Sequence, residues 1–267
     1  MSGRRRRRFE GQGVWITGGG SGLGRALALE LAREGAALAV SGRRRERLDE
    51  VVEAIAGEGA AGFAVPCDVT DDEGLRAAAE EAAGALGGMH VAIANAGFAV
   101  SGRVAKLTAD QWRRQLDVNV VGAALTARYA LPYLRQTSGR LVLIGSVASM
   151  ITTSGSGAYC ASKAAVRAIG QALSLELHGS GVTCTTIHPG FVESEIAQVD
   201  NQGVFDASRE DHRPQKLMWP ADRAASAMVD AIAARRREYV FTGHGKVGAF
   251  IGRHAPGFVH FAQTRRG

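Results

Sequence analysis

Cysteine is scarce in this chain. Its 267 residues hold Cys67, Cys160 and Cys184, an odd number without metal-ligand spacing, so neither a disulfide frame nor a thiolate metal site is expected. Reduced thiols of this kind fit a cytoplasmic protein. The seven histidines form no ligand motif, and no metal is assigned. Long apolar runs are also missing. No stretch of eighteen or more exists, which excludes a membrane-spanning helix. No linker rich in Pro, Ser and Gly divides the chain, and no internal repeat is present. One domain is the expectation, and the 46% of hydrophobic residues is enough to bury its core.

Acid is missing where base is concentrated. Residues 4–8 are all arginine, and 239–267 contains Lys246, Arg253, Arg265 and Arg266 with no Asp or Glu. Setting these nine aside leaves 23 of the 32 basic residues against 26 acidic ones. The body is therefore slightly acidic. A nucleic-acid binder needs its basic stripe on the folded body, so no nucleic-acid partner is expected. Residues 1–8 read as a disordered, solvated basic tail. An export signal is the competing reading, but the apolar residues that follow belong to a strand, a glycine turn and a helix.

Short apolar runs at 14–17, 37–41, 61–67, 90–94, 140–146, 182–188 and 239–242 read as strands, most of them apolar on both faces. Stretches near 22–34, 44–57, 72–86, 109–135, 157–178 and 221–237 predict helices between them. Gly35 is placed to end the first helix in a left-handed conformation, and Thr108 with Gln111 fits a capping box. Such alternation implies α/β architecture: a parallel sheet with right-handed crossovers.

The first strand runs into Thr17-Gly18-Gly19-Gly20-Ser21-Gly22-Leu23-Gly24, and a helix follows. Glycine lets the backbone turn sharply and lets a pyrophosphate reach main-chain N–H groups, with the helix N-terminus favouring its charge. An ordinary flexible loop is the bland alternative. The position between first strand and first helix favours a dinucleotide, with Gly18, Gly20, Ser21, Gly22, Leu23 and Gly24 around it. Tyr159 and Lys163 stand four apart on one helix and share a face. A free tyrosine, with a pKa near ~10, is a poor base, and a nearby ammonium favours its phenolate.

Further motifs follow in order: Cys67-Asp68-Val69 after the third strand, Asn95-Ala96-Gly97 after the fourth, and Asn119 within Asp117-Val118-Asn119-Val120. Ser146 ends the fifth strand, Tyr159-Cys160-Ala161-Ser162-Lys163 gives YxxxK, and Pro189-Gly190 follows the sixth. With the TGxxxGxG turn, this series over roughly residues 10–195 resembles the short-chain dehydrogenase/reductase family. The resemblance implies a doubly wound, Rossmann-type α/β domain over 9–242, seven strands in the order 3-2-1-4-5-6-7, and helices on both faces. It implies hydride transfer between a nicotinamide cofactor and a carbonyl or secondary alcohol. Tyr159 would donate or accept the proton, Lys163 would hold the nicotinamide ribose and tune the tyrosine, Ser146 would orient the substrate oxygen, and Asn119 would hold a relay water. Asp68 and Val69 would meet adenine, and Asn95, Ala96 and Gly97 its ribose. Pro189, Gly190, Val192 and Ser194 would approach the carboxamide, although family members usually carry threonine where Ser194 stands. The family's habit of pairing helices also implies a homodimer, through 121–134 and 164–177.

The second strand selects the cofactor. NAD enzymes of this fold place an acid at its end for the ribose hydroxyls. Here Gly42 stands there, followed by Arg43 and Arg44, which can pair with a 2′-phosphate. NADP(H) is the expected cofactor. The expected substrate walls are Phe98, Val100, Met150, Ile151, Phe191 and Ile196, within or near a substrate loop at 191–218, and they suit an apolar small-molecule carbonyl or alcohol. The apolar and basic extension 243–267 repeats Val247, Phe250, Ile251 and His254 at helical spacing. It can dock on the protein itself, on a partner subunit or on a membrane surface, while the five glycines from 243 to 257 weaken a helix. The competing function is a non-catalytic, redox-responsive NADP(H)-binding regulator. Such proteins can lose the tyrosine or lysine, and both remain here.

Overall fold

The computed structural model describes residues 7–265. Arg4, Arg5 and Arg6 of the arginine run, and Arg266, lie outside the described residues. Seven strands form one parallel sheet: β1 (Gly13–Thr17), β2 (Ala37–Ser41), β3 (Gly62–Ala64), β4 (Val91–Ala94), β5 (Arg140–Ile144), β6 (Thr183–His188) and β7 (Glu238–Val240). Their order is β3-β2-β1-β4-β5-β6-β7, as expected.

The period of two along each strand builds two cores. In β1, Val14 and Ile16 join Leu27, Leu31, Leu48 and Met228. These come from α1 (Gly22–Arg33), α2 (Arg45–Gly57) and α7 (Ala221–Ala233). Trp15 points the other way, among Leu75, Ala82, Leu134 and Val166, from α3 (Asp72–Ala85), α5 (Gly122–Thr137) and α6 (Gly157–Glu176). In β5, Val142 and Leu143 divide in the same manner. Alternate side chains thus bury on opposite faces, the condition for a sheet covered on both sides. The Trp15 indole N–H, fully buried, donates to Ser41 Oγ at 2.9 Å, so its polar atom is satisfied.

Several expected boundaries move. The strands at 61–67, 140–146 and 239–242 are shorter, at the bounds given above. The helix expected over 109–135 is broken into α4 (Ala109–Leu116), a π turn at Asp117–Val121, and α5. The Thr108–Gln111 capping box is present, and Gly35 takes φ +92° after α1. α7 stops at Ala233 rather than 237, because Arg235 adopts φ +50°. Its guanidinium reaches Ser138 O at 2.8 Å and Gly139 O at 3.2 Å, anchoring a conformation that L residues rarely take.

One correction concerns the N-terminus. The basic tail does not extend through residue 8, because Arg8 pairs with Glu34 and Asp230, both at 2.7 Å. The extension forms α8 (Gly243–His254) and α9 (Pro256–Thr264). The glycines do not prevent α8 because they form its docking face. A Cβ at Gly252 would lie 2.1 Å from Met150 O, and one at Gly245 3.0 Å from Val147. Close packing offsets their low helix propensity.

Candidate active site

The strand order reverses between β1 and β4, and the carboxyl ends of the parallel strands open there into a crevice. A cavity of about 1140 Å³ fills it. Its floor is the glycine turn. Gly18 takes φ +66°, and a Cβ on Gly24 would lie 2.1 Å from Gly18 O, so α1 can begin this close to β1 only with glycine. The first residues of α1 have no side-chain cap from Ser21, which leaves first-turn N–H groups for an anion. Asn95 holds the turn from β4: its Nδ2 donates to Thr17 O and Gly18 O, both at 3.0 Å.

Every residue expected to bind the cofactor lines this one cavity: Gly18, Gly20, Ser21, Gly22, Leu23 and Gly24 of the turn, Arg43, Arg44, Asp68, Val69, Asn95, Ala96, Gly97, Tyr159, Lys163, Pro189, Gly190, Val192 and Ser194. Gly42, Arg43 and Arg44 also line it and follow β2, which β1 and β4 separate from β5, the strand that Ser146 follows. A segment of the 191–218 loop crosses above. Arg43 donates to Gly203 O at 3.1 Å, Arg44 lies 3.7 Å from Glu195 and over the Phe205 ring, and Arg114 donates to Gln202 O at 2.8 Å.

The reacting end gathers Ser146, Tyr159 and Lys163. Lys163 is buried, and its Nζ donates to Ile144 O at 2.8 Å. Desolvation lowers its pKa to about 8, because no carboxylate among the described residues compensates the charge. Burial also raises the Tyr159 phenol, while the neighbouring Ser146 hydroxyl acts in the opposite direction. The Lys163 ammonium sits 5.8 Å from the tyrosine ring centroid. In this state the site holds a neutral phenol: burial dominates, and the expected lowering by Lys163 is not among the influences on it. Ser146 caps the turn Val147–Ser149, its Oγ accepting from Ala148 N at 3.1 Å.

Asn119 is not brought into the cavity. It is buried on the π turn, where its Oδ1 accepts from Phe98 N and its Nδ2 donates to Phe98 O and Ser162 Oγ, all at 3.0 Å. Its side chain fixes the backbone beside Gly97. The expected walls also need correction. Phe98 and Ile196 face the cavity, but Val100, Met150, Ile151 and Phe191 do not. Val100 is buried with Ala158, and Met150 and Ile151 pack against α8.

Two residues escaped the sequence reading. Arg213 donates to Val192 O at 2.9 Å, Ser194 O at 2.9 Å and the Asp211 carboxylate at 2.7 Å, pinning the loop after β6. His244, in the first turn of α8, accepts from Phe191 N at 3.1 Å and stacks on its ring at 5.5 Å. Neither has a local motif, since apart from Asp211 the groups they hold belong to a distant segment. Cys67 lines the cavity, but burial pushes its thiol up to about 11, far from a thiolate nucleophile.

A crevice of this order, with a glycine turn at one end and a tyrosine–lysine pair at the other, has many counterparts. The family profile described as short chain dehydrogenase matches residues 12–204. An uncharacterized oxidoreductase of Staphylococcus aureus is 37% identical over 187 residues, 70% of this chain and 80% of the relative. Meso-2,3-butanediol dehydrogenase of Serratia marcescens is 33% identical over 203 residues, 76% of this chain and 80% of that enzyme. Among solved structures, a Burkholderia cenocepacia short chain dehydrogenase in complex with NADP is 27% identical, with a TM-score of 0.79 over 90% of this chain and 99% of that one. A Burkholderia phymatum short chain dehydrogenase/reductase in complex with NAD is 28% identical, with a TM-score of 0.78 over 87% and 89%. Sequence, strand order and the place of the crevice agree, and the chain belongs to the short-chain dehydrogenase family of nicotinamide-dependent oxidoreductases.

Proposed function

We propose that the chain is an NADP(H)-dependent reductase or dehydrogenase acting on the C=O or CH–OH group of an apolar small molecule. The convergence of Ser146, Tyr159 and Lys163 at one end of the cavity, with Arg43 and Arg44 at the other, carries this reading. The glycine cradle fits a pyrophosphate, because any Cβ at Gly24 would close it. Gly18, Gly20, Ser21, Gly22, Leu23, Gly24 and the first turn of α1 would hold that group, Arg43 and Arg44 the 2′-phosphate, Asp68 and Val69 the adenine, and Val192 and Ser194 the carboxamide. The bound nicotinamide supplies or accepts the hydride.

The chain's own residues handle the proton. A neutral Tyr159 phenol is ready to donate to a carbonyl oxygen during reduction and to recover the proton during oxidation. Ser146 Oγ orients the same oxygen. Lys163, charged below a pH of about 8, supports the phenolate left after donation. Asn119 acts as a positioning residue through Phe98 and Ser162. Arg43 has only a backbone carbonyl to release at the far end, and Gly42 offers no carboxylate to repel a phosphate. Phe98, Ile196 and Val199 give the cavity an apolar part of its lining.

The test joins binding and turnover. NADPH and NADH are titrated by fluorescence, and Tyr159→Phe is compared with wild type on a panel of carbonyls. NADPH should bind more tightly, and the variant should keep that affinity while losing about 10²–10⁴ in turnover. A variant of near wild-type activity would remove Tyr159 from its role. Tight NADPH binding with no reacting carbonyl or alcohol would favour the redox-responsive regulator.

A further inference from the structure

The two C-terminal helices dock inside out. The glycines of α8 at 245, 248 and 252 and buried Ala249 face the protein body, against the turn that follows Ser146. Its large apolar residues face solvent: Val247 is 60% and Phe250 66% exposed. They stand three apart, with His254 one turn beyond, and therefore on one side of the helix. α9 repeats the arrangement, with Phe258 and Phe261 three apart and half or more exposed. It is tied to the body by Gln263 Nε2, which donates to Thr152 O at 2.8 Å. A helix that buries glycine and exposes phenylalanine is not oriented by the protein's own core.

The charge on this surface has one sign. From Tyr239 to Gly267 there is no Asp or Glu. Exposed Lys246, His254, His260 and Arg265 lie between the apolar side chains. Arg253 is partly neutralised by Glu238 at 2.8 Å. Among the described residues, Lys246 and Arg265 have no carboxylate partner. Arg265 lies over the Phe261 ring at 4.2 Å, so cation and aromatic face form one patch. The body of the chain is slightly acidic, which makes the patch a local feature.

We propose that α8 and α9 form a peripheral docking surface for an anionic lipid bilayer. Aromatic residues suit the boundary between headgroups and acyl chains, and lysine and arginine suit the negative surface potential. No helix among the described residues is long and apolar enough to cross a membrane, so the contact is superficial. The complementarity is to a negative apolar interface, which a bilayer supplies as a continuous surface. The inference is independent of the reaction assigned to Tyr159.

The experiment is flotation of the full-length protein with vesicles of phosphatidylcholine alone or with phosphatidylglycerol. Wild type should float with the anionic vesicles and be released by salt. Lys246→Glu with Arg265→Glu should lower binding by about tenfold or more, in line with the worth of basic residues near a charged surface. Phe250→Ser with Phe258→Ser and Phe261→Ser should abolish it, with NADPH affinity and melting temperature preserved as controls of folding. Absence of flotation on anionic vesicles overturns the proposal. So does equal flotation on neutral ones, because the charges then carry nothing. A mass in solution that falls in the phenylalanine variant, with no lipid binding, assigns the patch to a second copy instead.

Discussion

Lys163 carries a charge that its surroundings oppose. It is buried, donates to one carbonyl, and titrates near 8 instead of 10.5. In the unfolded chain the ammonium is solvated, so below about pH 8 folding holds a charge against its preference. That penalty disappears as pH rises from 8 towards 10.5, where both states become neutral. Lys163→Met should therefore raise the melting temperature of the cofactor-free protein at neutral pH, by about 1–3 kcal/mol of stability. The gain should shrink as pH rises through that window, and NADPH affinity and turnover should fall throughout. Thermal melts across pH check it, and a destabilised variant at pH 7 would show that the Ile144 contact outweighs desolvation. Such residues were legible in the sequence because their chemistry sits at fixed local spacing: YxxxK, the glycine turn, and a serine at a strand end. The direction of Asn119 was not legible. It depends on a π turn, whose extra residue per turn rotates the side chain towards Phe98 and Ser162 instead of the cavity. Arg213 and His244 gave no signal either, since each grips backbone atoms that any sequence would supply.

At the level of elements, strands buried on both faces declare themselves as apolar runs, and their alternation with amphipathic segments implied a parallel sheet, while the strand order came from the family resemblance. Misreadings fell where tertiary contacts decide. The 109–135 periodicity crosses the π turn without a break in polarity, and the glycine-rich α8 has no propensity argument in its favour until Met150 and Val147 are placed against it. That packing has a functional consequence. The first turn of α8 meets the Pro189–Val192 side of the cavity through His244, whose Nε2 must be unprotonated to accept from Phe191 N. Burial lowers the His244 pKa below its ordinary 6.5. The contact is therefore fully present above pH 6.5 and is lost as pH falls through the lower folded value. His244→Ala should reduce kcat several-fold, more than it raises KM for the carbonyl, because it loosens a loop without removing a binding group. His244→Gln retains an acceptor and should recover much of the rate while losing the acid limb of the pH profile that His244 imposes. Rate–pH profiles of the three proteins test this. Equal rates for alanine and glutamine would leave the hydrogen bond without a positioning role.

For the whole molecule, the two sheet faces differ in what their helices leave outside. α1 and α7 pack on one face and close over each other. On the other, α5 and α6 lie side by side and leave a groove of about 440 Å³ between them, lined by Ala124, Leu131, Ile169, Ala172 and Leu173. Nearby Leu175 is 76% exposed. Small residues at Ala124 and Ala172 permit a second pair of helices to approach, and Arg128, Arg135 and Glu176 at the rim can pair across a twofold axis. A self-complementary four-helix contact satisfies both features and is the geometry expected of a homodimer. It needs the order of ~800 Å² from each subunit, which two helices of this length can provide. No residue of α8 or α9 lines this groove, so a dimer formed through it and the proposed lipid docking would use separate surfaces. Sedimentation at micromolar concentration should give twice the chain mass. Leu131→Glu with Leu173→Glu should give the single chain mass, because burying two carboxylates per subunit against their symmetry mates costs more than the groove returns. NADPH affinity should survive in that variant, since neither residue lines the cavity. A wild-type monomer would leave the groove without a partner, and a variant that stays dimeric would move the interface elsewhere.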